Sequence, residues 1–427
     1  MTHRFELVGD TKVAIFDGHV DNEIIAHTIA TYRTQKKNDE PFGLMNLNTV
    51  VEHFLDWKLQ LPRVEPFYAV KCNNDPVLLK TLADLGTGFD CASKAEINMI
   101  LDGNLAPTDK IIYAHPCKTR SFIEHARKYN VKMMTFDNEE ELQKINGLYP
   151  DAELVLRIAV SDPSAQCPLG IKFGCEPSEV APKLLQKSAA MGMKVIGISF
   201  HVGSGCNDPA AFQLAISYAR NLFDIGKSMD HDMYLLDIGG GFPGNDHEKF
   251  SRFASIIRTN IDEYFPPSEN VRIIAEPGRY FASASISITT NIISATKVPA
   301  SRITKDDGDS DKDGYMYYMN DGVYGSFNCI LFDHFQPTGR PLFPSSDIIP
   351  SEEYPTTVWG PTCDGLDQVE KETKMRRMQV GEWLYYPDMG AYTKVCATNF
   401  NGFEPPTYYY FMDNTTWSYM YAMENGH

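Results

Sequence analysis

Residues able to do chemistry recur in this sequence at one kind of place, the end of a short β-favouring run. Lys71 follows FYAV in PFYAVKCNND, Asp90 sits at the end of TGFDC, Arg157 lies in LVLRI and His201 closes VIGISFH. Gly239, Gly240 and Gly241 follow YLLDI, and Glu276 closes RIIAE. A lysine amine attacks carbonyl carbon. Consecutive glycines let backbone N–H groups come close to an anion, and Gly278 and Arg279 of AEPGRYF add a second approach and a guanidinium. Each residue alone has a plainer reading: a solvated strand-end lysine, an ordinary loop, a strand-end ion pair or a hydrogen-bonded core histidine. Their convergence is the stronger signal.

That convergence depends on the elements that hold them. Between about residues 65 and 280, eight β-favouring runs alternate with helix-length segments. Phe212, Ala215, Ile216, Ala219, Leu222 and Phe223 mark one helical face, with Asp208 as N-cap and Pro209 as N1. Phe250, Phe253, Ile257, Ile261 and Tyr264 mark another. This alternation predicts a (β/α)8 TIM barrel, class α/β, with a doubly wound open sheet as the alternative, because periodicity does not report closure. In a barrel the active site lies at the C-terminal ends of the strands, where all these residues would meet. The last third of the chain is rich in β-branched and aromatic runs such as ASISITTNIIS, TTVWG and PTYYYFM, and predicts a C-terminal antiparallel β domain. The expected boundaries are 46–283 for the barrel and 284–427 for the β domain, which residues 1–45 would join.

An amine nucleophile, an anion cradle and a carboxylate at one mouth suit pyridoxal 5'-phosphate: the lysine captures its aldehyde, the cradle its phosphate, and Glu276 its ring nitrogen. Beyond this, PFYAVKCN, GTGFDCASKAEI, SFHVGSGC, LLDIGGGFPG, AEPGRY, NDGVYGSFNCILFDH, GPTCDGLD, MGAYT and FNGF resemble, in order from about residue 65, the eukaryotic ornithine decarboxylases of the alanine-racemase-like fold group. The resemblance implies decarboxylation of ornithine to putrescine. It implies that Lys71 carries the cofactor, with Glu276 at the ring nitrogen and His201 on the ring face. It places Ser204, Gly239 to Gly241, Gly278, Arg279 and Tyr392 at the phosphate, and Asp90, Glu96 and Arg157 around the lysine and ring. Asp333 and Asp364 would receive the substrate's distal ammonium, Tyr324 and Phe400 would wall its chain, and Cys363 would return a proton to carbon. CDGLD replaces the CESGD-like stretch of diaminopimelate decarboxylases. A catalytically silent homologue would have lost residues that are all kept here.

Composition limits the partners. Asp plus Glu exceed Lys plus Arg by 56 to 39, giving a formal charge of −17, which argues against nucleic acid or anionic membrane as a partner. No basic, apolar leader opens the chain and no apolar run reaches membrane-spanning length, so a cytoplasmic location is expected. The nine scattered cysteines read as reduced thiols without a metal site. The resemblance implies a head-to-tail homodimer with shared active sites, Cys363 and Asp364 coming from the partner, and Lys172 with Asp367 bridging subunits. The basic stretch 118–132, with Lys118, Arg120, His125, Arg127, Lys128 and Lys132, is either a solvated helix face or, as the resemblance implies, a docking site for the inhibitory protein antizyme. The chain stops soon after WSYMYAMENGH, without the long tail of vertebrate members, so rapid antizyme-driven turnover is not expected.

Overall fold

Eight parallel strands close into a barrel in the computed structural model, which describes residues 2–160, 172–203, 208–344 and 351–421. They are Val64–Ala69, Gly88–Cys91, Ile111–Tyr113, Met133–Phe136, Glu153–Ile158, Lys194–Phe200, Leu235–Asp237 and Arg272–Ala275. Ile273 pairing with Val64, and Ala275 with Pro66, joins the eighth strand to the first, which excludes the open sheet. The interior is filled by inward-facing side chains including Phe67, Ile112, Val155, Leu235 and Ile274, as in barrels generally. These strands belong to a unit spanning Val51–Phe281; a second unit combines Met1–Val50 with Ala282–His427.

The first strand ends before the lysine. Val70–Cys72 form a 3-10 turn, so Lys71 stands on the turn that leaves the barrel. Local bonds pin that turn: Tyr68 Oη donates to the Asn73 carbonyl at 2.8 Å, and the Asn73 side chain accepts from Asp75 N at 3.0 Å. Asp75 then caps the helix Pro76–Asp84, with its proline in the first turn, where no N–H is missed. The helix foreseen after Asp208 runs Ala210–Lys227, starting after Pro209 because the Asp208 carboxylate accepts from Ala210 N at 2.9 Å. All six apolar positions of its expected face are buried.

The second unit is built on a ten-stranded sheet that is mixed rather than purely antiparallel. Asp313–Met319 runs parallel to Glu353–Trp359, and Thr407–Asp413 lies parallel to both Thr11–Phe16 and Phe42–Asn46. Strands from both ends of the chain therefore interleave. The long strand Ile286–Pro299 pairs with three neighbours, Phe42–Asn46, Asp313–Met319 and Trp383–Tyr386. The helix Asn22–Gln35, capped by Asp21, packs Ile25, Ala26 and Ala30 with Phe42, Trp383 and Phe411.

Candidate active site

At the C-terminal mouth of the barrel, Lys71 Nζ forms an ion pair with the Asp90 carboxylate. Asp90, at the end of the second strand, has no solvent exposure, while the lysine side chain is partly open. A charged carboxylate this deep needs a cation beside it. Next to it, Glu96 does local work: its carboxylate accepts from Ala92 N at 2.5 Å while the Ser93 hydroxyl accepts from Glu96 N, a capping arrangement at the start of the helix Lys94–Asp102. Burial holds Glu96 above the usual carboxylate range.

Two further carboxyls lie at the ends of the neighbouring seventh and eighth strands. Burial pushes Asp237 up to about 7 and Glu276 well above its ordinary value, and each acts on the other. The pair thus retains a proton near neutrality. Asp237 Oδ1 accepts from Gly239 N at 2.9 Å, and Glu276 N donates to the Gly239 carbonyl at 2.6 Å, so the Asp237 side chain and the Glu276 backbone are tied to the glycine turn. Asp237 escaped the sequence reading; its signal was an acidic residue inside an otherwise apolar run, YLLDI, before the glycines. His201 Nδ1 accepts from Gly203 N at 3.1 Å, and burial followed by the charges of Arg157, Lys71 and Arg279 drives its pKa well below 6.5. It is a neutral imidazole at physiological pH.

The glycines are demanded by space. A Cβ on Gly239, whose φ is +64°, would stand 2.2 Å from the Phe200 carbonyl oxygen. On Gly240 it would stand 2.7 Å from the Glu276 carbonyl oxygen, and on Gly278 2.8 Å from Cys72 Cβ. The Gly278–Arg279 loop therefore closes directly onto the lysine turn. Arg157, whose guanidinium lies 5.3 Å from the Phe173 ring centroid, adds positive charge felt by His201, Asp237 and Glu276. The barrel thus brings together Lys71, Asp90, Arg157, His201, the glycines, Glu276 and Arg279; Ser204 lies outside the described residues. These residues fit pyridoxal phosphate: an amine held in place, a close-approach backbone, and a buried carboxyl pair suited to a protonated ring nitrogen.

In the second unit, Tyr324 Oη donates to Asp364, the rings of Tyr324 and Phe400 lie 4.5 Å apart, and Cys363 N donates to Asn401 Oδ1 at 3.1 Å. The tyrosine bond, then that from Leu366 N, keeps the Asp364 carboxyl below the usual range. Asp333 is buried after the short helix Cys329–Phe332, and among the described residues no bond joins it to Asp364. Tyr392 has a φ of +53°, a conformation a bulky residue adopts only when its surroundings enforce it.

The basic stretch is less extensive than its sequence suggests. Lys118 is buried, donating to the Thr135 carbonyl at 2.6 Å and pairing with Glu141 at 2.9 Å, and His125 is buried against Asn98 Oδ1 at 2.7 Å. Neither reaches a docking partner, which leaves Arg120, Arg127, Lys128 and Lys132.

Residues 47–283 match the family model "Pyridoxal-dependent decarboxylase, pyridoxal binding domain", and residues 280–390 match "Pyridoxal-dependent decarboxylase, C-terminal sheet domain". The chain is 58% identical over 416 residues to the ornithine decarboxylase of Panagrellus redivivus, covering 96% of this chain and 95% of that one. It is 54% identical to that of Caenorhabditis elegans, covering 98% of each. It is also 44% identical to antizyme inhibitor 2 of Xenopus laevis, covering 92% and 86%. Among solved structures it resembles the arginine decarboxylase of Paramecium bursaria Chlorella virus bound to agmatine, with a TM-score of 0.83, 36% identity and coverage of 91% and 100%.

Proposed function

The chain belongs to the pyridoxal-dependent decarboxylases and converts L-ornithine to putrescine and CO2 with pyridoxal phosphate as cofactor; from that premise we propose how its residues divide the work. The observation that carries the assignment is the Lys71–Asp90 ion pair beside the proton-holding Glu276–Asp237 couple at one barrel mouth. Bound pyridoxal phosphate supplies an aldehyde that captures amines and a ring that accepts the electron pair left by departing CO2. Lys71 is the amine that holds the cofactor, and Asp90 orients its Nζ. With the cofactor bound, Glu276 would partner its ring nitrogen, His201 would meet its ring as a neutral imidazole, and Arg157 would add positive charge near it. Gly239, Gly240, Gly241, Gly278 and Arg279 would hold the phosphate, and the sequence resemblance adds Ser204 and Tyr392 to them.

Asp333 and Asp364 receive the distal ammonium of the substrate, since two carboxylates suit a diamino acid. Tyr324 and Phe400 line its methylene chain, and Cys363 Sγ returns a proton to the carbon that lost its carboxylate. Replacement of Lys71 with Ala is expected to abolish the visible absorbance of bound cofactor and to lower kcat by at least 10³-fold. An unaltered spectrum would sink the assignment. CO2 release compared across ornithine, lysine, arginine and diaminopimelate tests the substrate preference.

The active unit is a head-to-tail homodimer whose sites draw Cys363 and Asp364 from the partner chain. Exposed Phe332, Leu366, Phe400 and Phe403 beside these residues support it. The enzyme works in the cytoplasm: among the described residues no helix is long and apolar enough to cross a membrane, and the seven described cysteines are unbridged. Likeness to an antizyme inhibitor supports a second partner, antizyme, docking at Arg120, Arg127, Lys128 and Lys132. A cavity of about 450 Å³ lined by Arg127, Lys128 and Leu148 offers a foothold there. Charge reversal at Arg127 and Lys128 is expected to weaken antizyme binding at least tenfold at low salt; unchanged binding argues for a merely solvated face.

A further inference from the structure

One buried carboxylate joins the two loops that carry Tyr324 on one side and Cys363 and Asp364 on the other. Asp367 is 1% exposed, and its Oδ1 accepts from Val323 N at 2.8 Å while Oδ2 accepts from Thr362 N at 2.9 Å. Its backbone continues the link: its carbonyl accepts from Gly360 N at 2.7 Å and its N–H donates to the Asp364 carbonyl at 3.1 Å. A Cβ on Gly322 or Gly360 would stand 2.1 Å or 2.2 Å from Asp367 Oδ1, so each loop carries a glycine where the carboxylate passes. Within the first loop, buried Asp321 accepts from Gly322 N at 2.8 Å and Ser326 N at 3.0 Å. Thr398 N, donating to the Tyr324 carbonyl at 2.8 Å, ties in the segment that leads to Phe400.

The sequence match assigns Asp367 to an ion pair with Lys172 across subunits. Both of its oxygens are nevertheless engaged by amides of its own chain. We propose that Asp367 is a positioning residue that clamps the Tyr324 loop to the Cys363–Asp364 loop, and so sets the Tyr324–Asp364 hydrogen bond where the substrate's distal ammonium is read. The clamp acts one residue away from each functional side chain, Val323 beside Tyr324 and Thr362 beside Cys363. Bonds from amides to a carboxylate are short and strong, and displacement of a positioning group by about 1 Å can lower turnover on the order of 10²-fold. This inference rests on the reading of Asp364 given above.

Asp367→Asn keeps the side chain's shape but turns an N–H donor toward one of the two amides. Steady-state kinetics on ornithine and lysine, with cofactor absorbance and dimer mass measured in parallel, compare it with Asp364→Ala, the double variant and Lys172→Ala. Asp367→Asn is expected to raise the KM for ornithine about tenfold and to narrow the preference for ornithine over lysine, with absorbance and dimer mass unchanged. Added to Asp364→Ala it is expected to lose little more, since the two act as one unit. A full multiplicative loss in the double variant, or a Lys172→Ala enzyme that reproduces the whole effect, overturns the clamp. An unaltered KM in Asp367→Asn beside an impaired Asp364→Ala overturns the clamp alone; an unaltered KM in Asp364→Ala overturns the reading of Asp364 and the clamp with it. Should Asp367→Asn fail to accumulate, Gly360→Ala displaces Asp367 Oδ1 without changing charge and is expected to give the same KM shift, whose absence overturns the proposal.

Discussion

Burial is what separates Asp237 and Glu276 from the many carboxylates elsewhere on a chain of net charge −17. In the unfolded chain Asp237 ionises in the usual carboxylate range, whereas in the fold it does so at about 7. The native state therefore binds more protons between those values, and this contribution to stability is present below the unfolded pKa and lost as pH rises through about 7. Melting of cofactor-free protein from pH 4 to 8 is expected to show that decline. Asp237→Asn should remove a part of it on the order of 3 kcal/mol, and an identical slope in the variant would count against the proton-holding pair. His201 runs the other way: its depressed pKa makes the native state lose stability as pH falls below 6.5, where the unfolded histidine takes up a proton. Asp237 went unread in the sequence because a carboxylate's role there depends on Glu276, which is distant along the chain and close only in the barrel.

Elements differ in how openly their sequences declare them. The helix Ala210–Lys227 was legible because one face is apolar at helical spacing. The strand Gln368–Arg376 was not: QVEKETKMR is rich in charge, and it is held by its antiparallel ladder to Glu353–Trp359 rather than by its own pattern. Likewise the helix Asn22–Gln35 lies within residues 1–45, expected to join the β domain, and its packing with Trp383 and Phe411 decides the outcome. Glycines inside barrel elements report close approaches that no periodicity reveals. A Cβ on Gly197 of the sixth strand would stand 1.9 Å from the Leu235 carbonyl oxygen, so Gly197→Ala is expected to destabilise the barrel by about 3 kcal/mol, read as a lowered Tm. Gly239→Ala, whose Cβ would meet the Phe200 carbonyl oxygen at 2.2 Å, is expected to lower Tm as well and, in a fluorescence titration well below that Tm, to weaken cofactor affinity at least tenfold. Wild-type affinity would argue against the cradle.

At the scale of the whole molecule, the proposed sharing of sites between chains makes a quantitative claim. Lys71→Ala and Cys363→Ala chains, each nearly inactive, are expected on mixing to regain about a quarter of wild-type activity, because random pairing makes half the dimers mixed and each mixed dimer holds one intact site. No recovery after verified subunit exchange would place both residues of a site in one chain. Preference for ornithine over lysine is a property of the assembled pocket, and one methylene changes binding by only ~1 to 3 kcal/mol, so slow decarboxylation of lysine is expected.

What the sequence by itself determined is the alternation of eight strand-like runs with helices, the chemical types at their ends, and the motif order that resembles the ornithine decarboxylases. These are local facts, carried by periodicity and by residue identity. Tertiary structure decided closure of the barrel, made by pairing between Val64 and Ile273, and the mixed sheet in which the two ends of the chain meet. It also decided which charges are reactive and which are structural. Lys118 and His125 left the basic face, and Asp237 became Glu276's partner, because desolvation and proximity are set by neighbours distant in sequence.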